Sequence, residues 1–162
     1  LGISDLIIPC VDQSSINHRK KLEFFQRKIE ELIPTALKHG VRLCLETDLP
    51  AKSFANLLKG LDSSIVTVNY DTGNSFSLGY DFIEELAAYG HSITDLHIKD
   101  RTYGGGSVPL GEGGIDFEEF FSCFSKINFE GIMILQAYRD DEGLEIFTKQ
   151  LKFIKKILSH HY

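Results

Sequence analysis

The sequence predicts an α/β protein built on a parallel sheet, and three observations predict it. Short apolar runs alternate with amphipathic segments in strict order. Five such pairs follow one another along the chain. The apolar runs are nearly continuous, as strands buried on both faces are. This alternation implies right-handed crossovers between parallel neighbours. Two architectures satisfy it, a doubly wound open sheet or part of a closed barrel.

The first strand lies in Asp5–Cys10, around Leu6-Ile7-Ile8. A long helix is expected over Arg19–His39, where Leu22, Phe25, Ile29, Leu32, Ile33 and Ala36 recur at steps of three and four. Pro34 falls inside that pattern and marks a kink or a junction between two helices, and Gly40 is the expected stop. Val41–Thr47 is the second strand and Ala51–Leu61 a helix with Phe54, Leu57 and Leu58 on one face. Ile65–Tyr70 is a third strand, Tyr80–Tyr89 a helix closed by Gly90, and Ile93–Ile98 a fourth strand. Thr102–Gly114 is rich in glycine and reads as a loop. Asp116 is the expected cap of a helix reaching about Ile127, with Glu119 three residues on. Ile132–Tyr138 is a fifth strand, and Glu142–His160 a final amphipathic helix.

Composition bounds the function classes. The 162 residues are 43% hydrophobic and 25% charged, with a formal net charge of −6, which is ordinary for a soluble globular domain. The acidic balance argues against a surface built for nucleic acid or anionic lipid. No apolar run approaches the ~20 residues of a membrane span. Cys10, Cys44 and Cys123 are far apart and form no CxxC pair, so free buried thiols in a reducing cytoplasm are expected. The chain begins with Leu1 and enters an apolar run almost at once, so a piece of a longer protein is expected.

Functional groups in parallel α/β folds gather at the C-terminal ends of strands. The second strand ends in Leu45-Glu46-Thr47, the third in Asn69-Tyr70-Asp71, the fourth in Leu96-His97-Ile98-Lys99-Asp100, and the fifth contains Leu135-Gln136-Ala137-Tyr138. Four consecutive strands thus offer a carboxylate, a carboxylate, an imidazole and an amide oxygen. A curved sheet would aim them at one centre. Three oxygens and one nitrogen suit Mn²⁺ or Mg²⁺, with Zn²⁺ or Co²⁺ as alternatives. Singly, Glu46 and Asp71 could equally be solvated or capping acids, and His97 a structural histidine.

The segments VRLCLET, VNYDTGNSFSLGYD, ITDLHIKDR, VPLGEGGIDFEEFF and INFEGIMILQAY, in that order and spacing, resemble the xylose-isomerase-like TIM-barrel superfamily. The likeness covers essentially the whole chain. It is strongest to the sugar-phosphate isomerase/epimerase branch, with its L-ribulose-5-phosphate 3-epimerases and hexulose-6-phosphate isomerase-like proteins. The resemblance implies a (β/α)₈ barrel in which residues 1–162 form the C-terminal portion of a single domain, about five units carrying strands four to eight. It implies metal ligands Glu, Asp, His and Glu from the last four strands, so Glu46, Asp71 and His97 take the first three roles.

The fourth position departs from the pattern, because it holds Gln136. An amide oxygen can ligate a metal, but it cannot act as a base. This shifts the expectation from two-base epimerisation toward one-base isomerisation, another reaction, or a barrel that binds without catalysis. The implied activity is metal-dependent isomerisation or epimerisation of a sugar or sugar phosphate through an enediolate, with Glu46 as base. Inosose dehydratase-like or hydroxypyruvate isomerase chemistry also suits such a barrel.

Lys99, Arg101 and Arg139 are candidate anion or hydroxyl clamps, and surface ion pairs are their bland alternative. Asn74 either orients substrate or forms the Asp-Thr-Gly-Asn turn. The expected partner is a small sugar in the cytoplasm, with no nucleic acid or membrane, and a homo-oligomer stays open. Two rivals remain: a non-catalytic barrel holding a sugar or protein partner, and an apurinic-site endonuclease, which shares the barrel but needs more metal ligands and a basic groove.

Overall fold

In a computed structural model the chain is described over residues 2–136, 138 and 143–162. In chain order the elements are β1 (Asp5–Cys10), α1 (Arg19–His39), β2 (Arg42–Thr47), α2 (Ala51–Lys59), β3 (Val66–Asp71), α3 (Thr72–Ser77), α4 (Phe82–Tyr89), β4 (Ile93–Ile98), β5 (Asp100–Arg101), β6 (Ser107–Val108), α5 (Phe117–Phe124), β7 (Ile132–Leu135) and α6 (Leu144–His161). The main sheet has the order β1-β2-β3-β4-β7, and every pairing in it is parallel. Each strand lies beside its predecessor in the chain, without the reversal of a doubly wound sheet. That order is the winding of a barrel wall, and the fold is a partial (β/α) barrel.

Local chemistry sets the element ends. Asp81 and Asp116 cap α4 and α5, accepting from the Ile83 and Glu119 backbone N–H groups. Gly40 closes α1 with φ of +63°, a left-handed position that suits glycine. Pro34 sits within one continuous α1 rather than dividing it. The six-residue helix α3 was not anticipated; it starts directly from the third strand, with Asp71 as its cap. The fifth strand stops at Leu135, short of the expected Tyr138, although the Gln136 N–H still donates to the Ile98 carbonyl at 2.9 Å. The glycine-rich segment is mostly loop but forms the small antiparallel β5–β6 ribbon.

The outer layer packs through one helix face. Phe117, Phe120, Phe121 and Phe124 of α5 are all buried, at the spacing of a single helical stripe. Phe120 lies against Tyr70 of β3 and Phe82 of α4. Tyr70 points outward, so its neighbours Asn69 and Asp71 point to the other face of the sheet.

That inner face carries two polar layers. Near the N-terminal strand ends, the Cys44 thiol contacts Thr67 Oγ1 at 3.2 Å and Asp95 Oδ2 at 3.1 Å. Arg42 pairs with Asp5 beside them. A register shift between Val68 and Asn69 brings both Thr94 and Asp95 into this group. Burial pushes the Cys44 thiol up to about 12, so it is a neutral donor to Asp95. The second layer, one step along each strand, is the candidate site.

Candidate metal centre

Glu46, Asp71 and His97 stand at the C-terminal ends of β2, β3 and β4, on the same face. Each offers an atom within 4.8 Å of the others, and all three side chains are buried. His97 Nδ1 lies 3.5 Å from Glu46 Oε2 and 3.9 Å from Asp71 Oδ2. Gln136, just past β7, donates from Nε2 to His97 Nδ1 at 2.9 Å. All four residues read from the strand ends therefore meet.

A fifth residue joins them. Asn69, only 2% exposed, donates from Nδ2 to Glu46 Oε2 at 2.7 Å and to His97 Nδ1 at 3.1 Å. With both amides turned this way Nδ1 is an acceptor, and the ring proton belongs on Nε2. Strand periodicity carried the signal for Asn69: Thr67, Asn69 and Asp71 alternate onto one face, but only the terminal acid was read as functional.

Around this group sits a hydrogen-bonded collar. Asn74 donates from its backbone to Asp71 Oδ1 at 2.8 Å and from Nδ2 to Glu46 Oε1 at 2.8 Å. Arg101 donates from Nη1 to Asn74 Oδ1 and from Nε to the Gly105 carbonyl, both at 2.9 Å. Lys99 Nζ reaches Asp71 Oδ2 at 3.2 Å. So Asn74, Lys99 and Arg101 lie at the site, engaged with its carboxylates or with one another, and Lys99 does not pair with Asp100 or Glu112. Asp100 instead accepts the backbone N–H groups of Arg101, Gly111 and Gly113. A Cβ at Gly113 would come within 2.0 Å of Asp100 Oδ1, so only glycine allows that approach. Arg139 lies outside the described residues. A cavity of about 200 Å³ opens beside the collar, lined in part by Asp12, Asp48, Asn74, Ser77 and Arg101.

Burial and close neighbours set the electrostatics of the cluster. Burial pushes the Asp71 carboxyl up, with Lys99 and the Asn74 N–H offsetting part of that rise. Burial also pushes Glu46 up, but its polar neighbours His97, Asn69 and Lys99 more than compensate and leave it below the usual carboxylate range. Two acids and an imidazole brought together out of water suit a divalent ion. One buried acceptor, Asn69 Oδ1, has no hydrogen-bond partner among the described residues, so the group holds an oxygen with room for a further bond. The donor set fits a divalent metal.

Behind the site, Glu85 of α4 ties β3 to the helices. It is 3% exposed and accepts from Tyr70 at 2.7 Å, from Tyr89 at 2.8 Å and from Ser75 of α3. Burial raises its pKa despite these three donors. A carboxyl held above its unfolded value favours the folded state below the ordinary glutamate range, and that contribution is lost as pH rises through the raised value. Glu85→Gln cannot ionise. The stability advantage of the wild type over this variant should therefore shrink from pH 4.5 to pH 7.5 in urea titrations. An advantage that grows with pH would mean the carboxylate form is the favoured one.

Comparison with known proteins agrees with the fold. The family profile described as xylose isomerase-like TIM barrel matches residues 2–157. The Haemophilus influenzae protein SgbU, provisionally assigned as an L-ribulose-5-phosphate 3-epimerase, is 30% identical over 147 residues, covering 82% of this chain and 51% of SgbU. An inosose dehydratase of Clostridium botulinum is 29% identical over 122 residues, covering 62% of this chain and 41% of that one. The chain thus spans about half the length of the curated relatives it matches. Among solved structures, the IolI protein with a bound zinc atom superposes with a TM-score of 0.82 at 18% identity, over 100% of this chain and 65% of that one. A Mycobacterium smegmatis barrel in complex with magnesium gives a TM-score of 0.76 at 17% identity, over 99% and 62%. On the parallel winding of its strands and a profile match from residue 2 to residue 157, the chain belongs to the xylose isomerase-like TIM barrel family.

Proposed function

We propose that the protein isomerises or epimerises a sugar or sugar phosphate by moving a proton at a carbon next to the carbonyl, with Glu46 as the base. Residues 1–162 would supply strands four to eight of a single (β/α)₈ barrel. The observation that carries the reading is the convergence of Glu46, Asp71 and His97 within 4.8 Å at adjacent strand ends, where barrels of this kind place their chemistry. A divalent ion there would be held by Glu46, Asp71, His97 and Gln136, and when bound it supplies positive charge that favours the enediolate. The oxygen-rich donor set favours Mn²⁺ or Mg²⁺, and zinc and magnesium both occur in neighbours of this fold.

The chain's own residues do the rest. Glu46, kept ionised by its neighbours, is ready to take the proton. Asn74 and Arg101 form a linked pair beside the cavity, positioned to hold substrate hydroxyls or an anionic group. The replacement of a ligand acid by Gln136 removes one candidate base and favours one-base isomerisation. It also supports a second reading, a barrel that binds a sugar without turning it over.

Deuterium wash-in separates these readings. A panel of ketoses and ketose phosphates is incubated in D₂O with Mn²⁺, and with EDTA. Incorporation at one carbon that disappears with EDTA is the expected result. Exchange that persists in EDTA would remove the metal from the reaction. Metal binding with no exchange on any sugar would favour the non-catalytic barrel.

A further inference from the structure

Two amides, not one, face the candidate centre. Asn69 Nδ2 and Gln136 Nε2 lie 3.1 Å and 2.9 Å from the same His97 nitrogen. Asn69 Nδ2 is also 2.7 Å from Glu46 Oε2. Donor atoms around an octahedral ion at about 2.1 Å stand about 3 Å apart, so both amide nitrogens occupy positions suited to ligand atoms. A nitrogen of a neutral amide does not ligate, but its oxygen does. Half a turn about the terminal bond exchanges the two atoms of a planar amide with little change of shape.

Asn69 differs from Gln136 in one respect. Its Oδ1 is buried and has no partner among the described residues, and a buried acceptor left unpaired is a cost to the folded chain. Its nitrogen, by contrast, is held by Glu46, so the present orientation is fixed by that carboxylate. A cation on Glu46 would reverse the preference, because it repels the amide N–H groups and attracts the oxygen.

We infer that Asn69 is a further metal-binding residue of this chain, whose amide turns when a divalent ion arrives and presents Oδ1 to it alongside Gln136. This rests on the proposed function only in placing a cation at Glu46, Asp71 and His97. It adds a second neutral oxygen donor beside that of Gln136.

The test reads binding, not turnover. The ¹⁵N-labelled protein is titrated with Mg²⁺ at pH 7.5, and the Asn69 side-chain NH₂ signals are followed. The proton bonded to Glu46 should move upfield as the ion binds, with the Gln136 amide responding at the same stoichiometry. In parallel, Mn²⁺ affinity is measured for the wild type, Asn69→Leu and Asn69→Asp. The leucine variant should lose about 10- to 100-fold, and the aspartate variant should bind at least as tightly as the wild type. Asn69 signals unmoved at saturating Mg²⁺ would overturn the inference even if the leucine variant does not fold. So would a leucine variant within twofold of the wild type. Equal weakening in both variants would leave Asn69 as a donor to Glu46 only, which also overturns it. A wild type that binds neither Mg²⁺ nor Mn²⁺ would end the metal reading itself.

Discussion

Glu46→Gln is expected to lower proton exchange by about 10²- to 10⁴-fold, the range a positioned base contributes. The substitution keeps the shape of the side chain and removes the charge that accepts a proton. It also takes one acid from a group of two, so divalent affinity should fall alongside the rate. The fold should survive, because the strand ends are held by the backbone ladder and by the aromatic layer behind them. A change of about 1 kcal/mol would move the melting temperature by about 2–4 °C for a chain of this size. Exchange near the wild-type rate on the true substrate would remove Glu46 as the base. A melting temperature lowered far beyond that range would mean that the loss reports unfolding instead.

The largest stability effect should come from Phe120→Ala, at about 3–5 kcal/mol. Phe120 is 1% exposed, with ring centroids 5.6 Å from Phe82, 5.1 Å from Phe121, 5.2 Å from Phe124 and 5.8 Å from Tyr70. Four rings packed around Phe120 cannot easily close the space its ring would leave. Against a typical stability of about 5–15 kcal/mol, this loss is a large share of the whole. Tyr70 directly precedes Asp71, so divalent affinity should weaken as well. Phe147, 38% exposed, is the contrast, and Phe147→Ala should cost about 1 kcal/mol or less. Urea unfolding of both variants measures the difference. Equal costs would place the core elsewhere.

The strands were legible because their apolar runs are dense and bounded, and the helices because their stripes repeat over two turns or more. The gathering of Glu46, Asp71, His97 and Gln136 was also legible, since parallel strands put their ends in one place. Less was readable where short-range chemistry decides. The helix α3 is six residues of Thr, Gly, Asn, Ser and Phe, weak helix formers that gain their start from Asp71. Asn69 looked like strand interior, and its importance comes from a partner 28 residues away. The pairing of Lys99 with Asp71 rather than Asp100 depends on Asp100 being occupied by three backbone groups, which no local pattern announces.

Each of the four carboxylate oxygens at the strand ends already accepts a proton donor: Asn74 and Asn69 on Glu46, the Asn74 backbone and Lys99 on Asp71. The chain itself supplies a donor to every oxygen of these two buried acids. A chelator should therefore strip the centre without melting the domain, in contrast to small zinc modules that collapse when their ion is removed. Cation exchange would then be an equilibrium of a standing scaffold, and different divalent ions could be compared in the same folded protein.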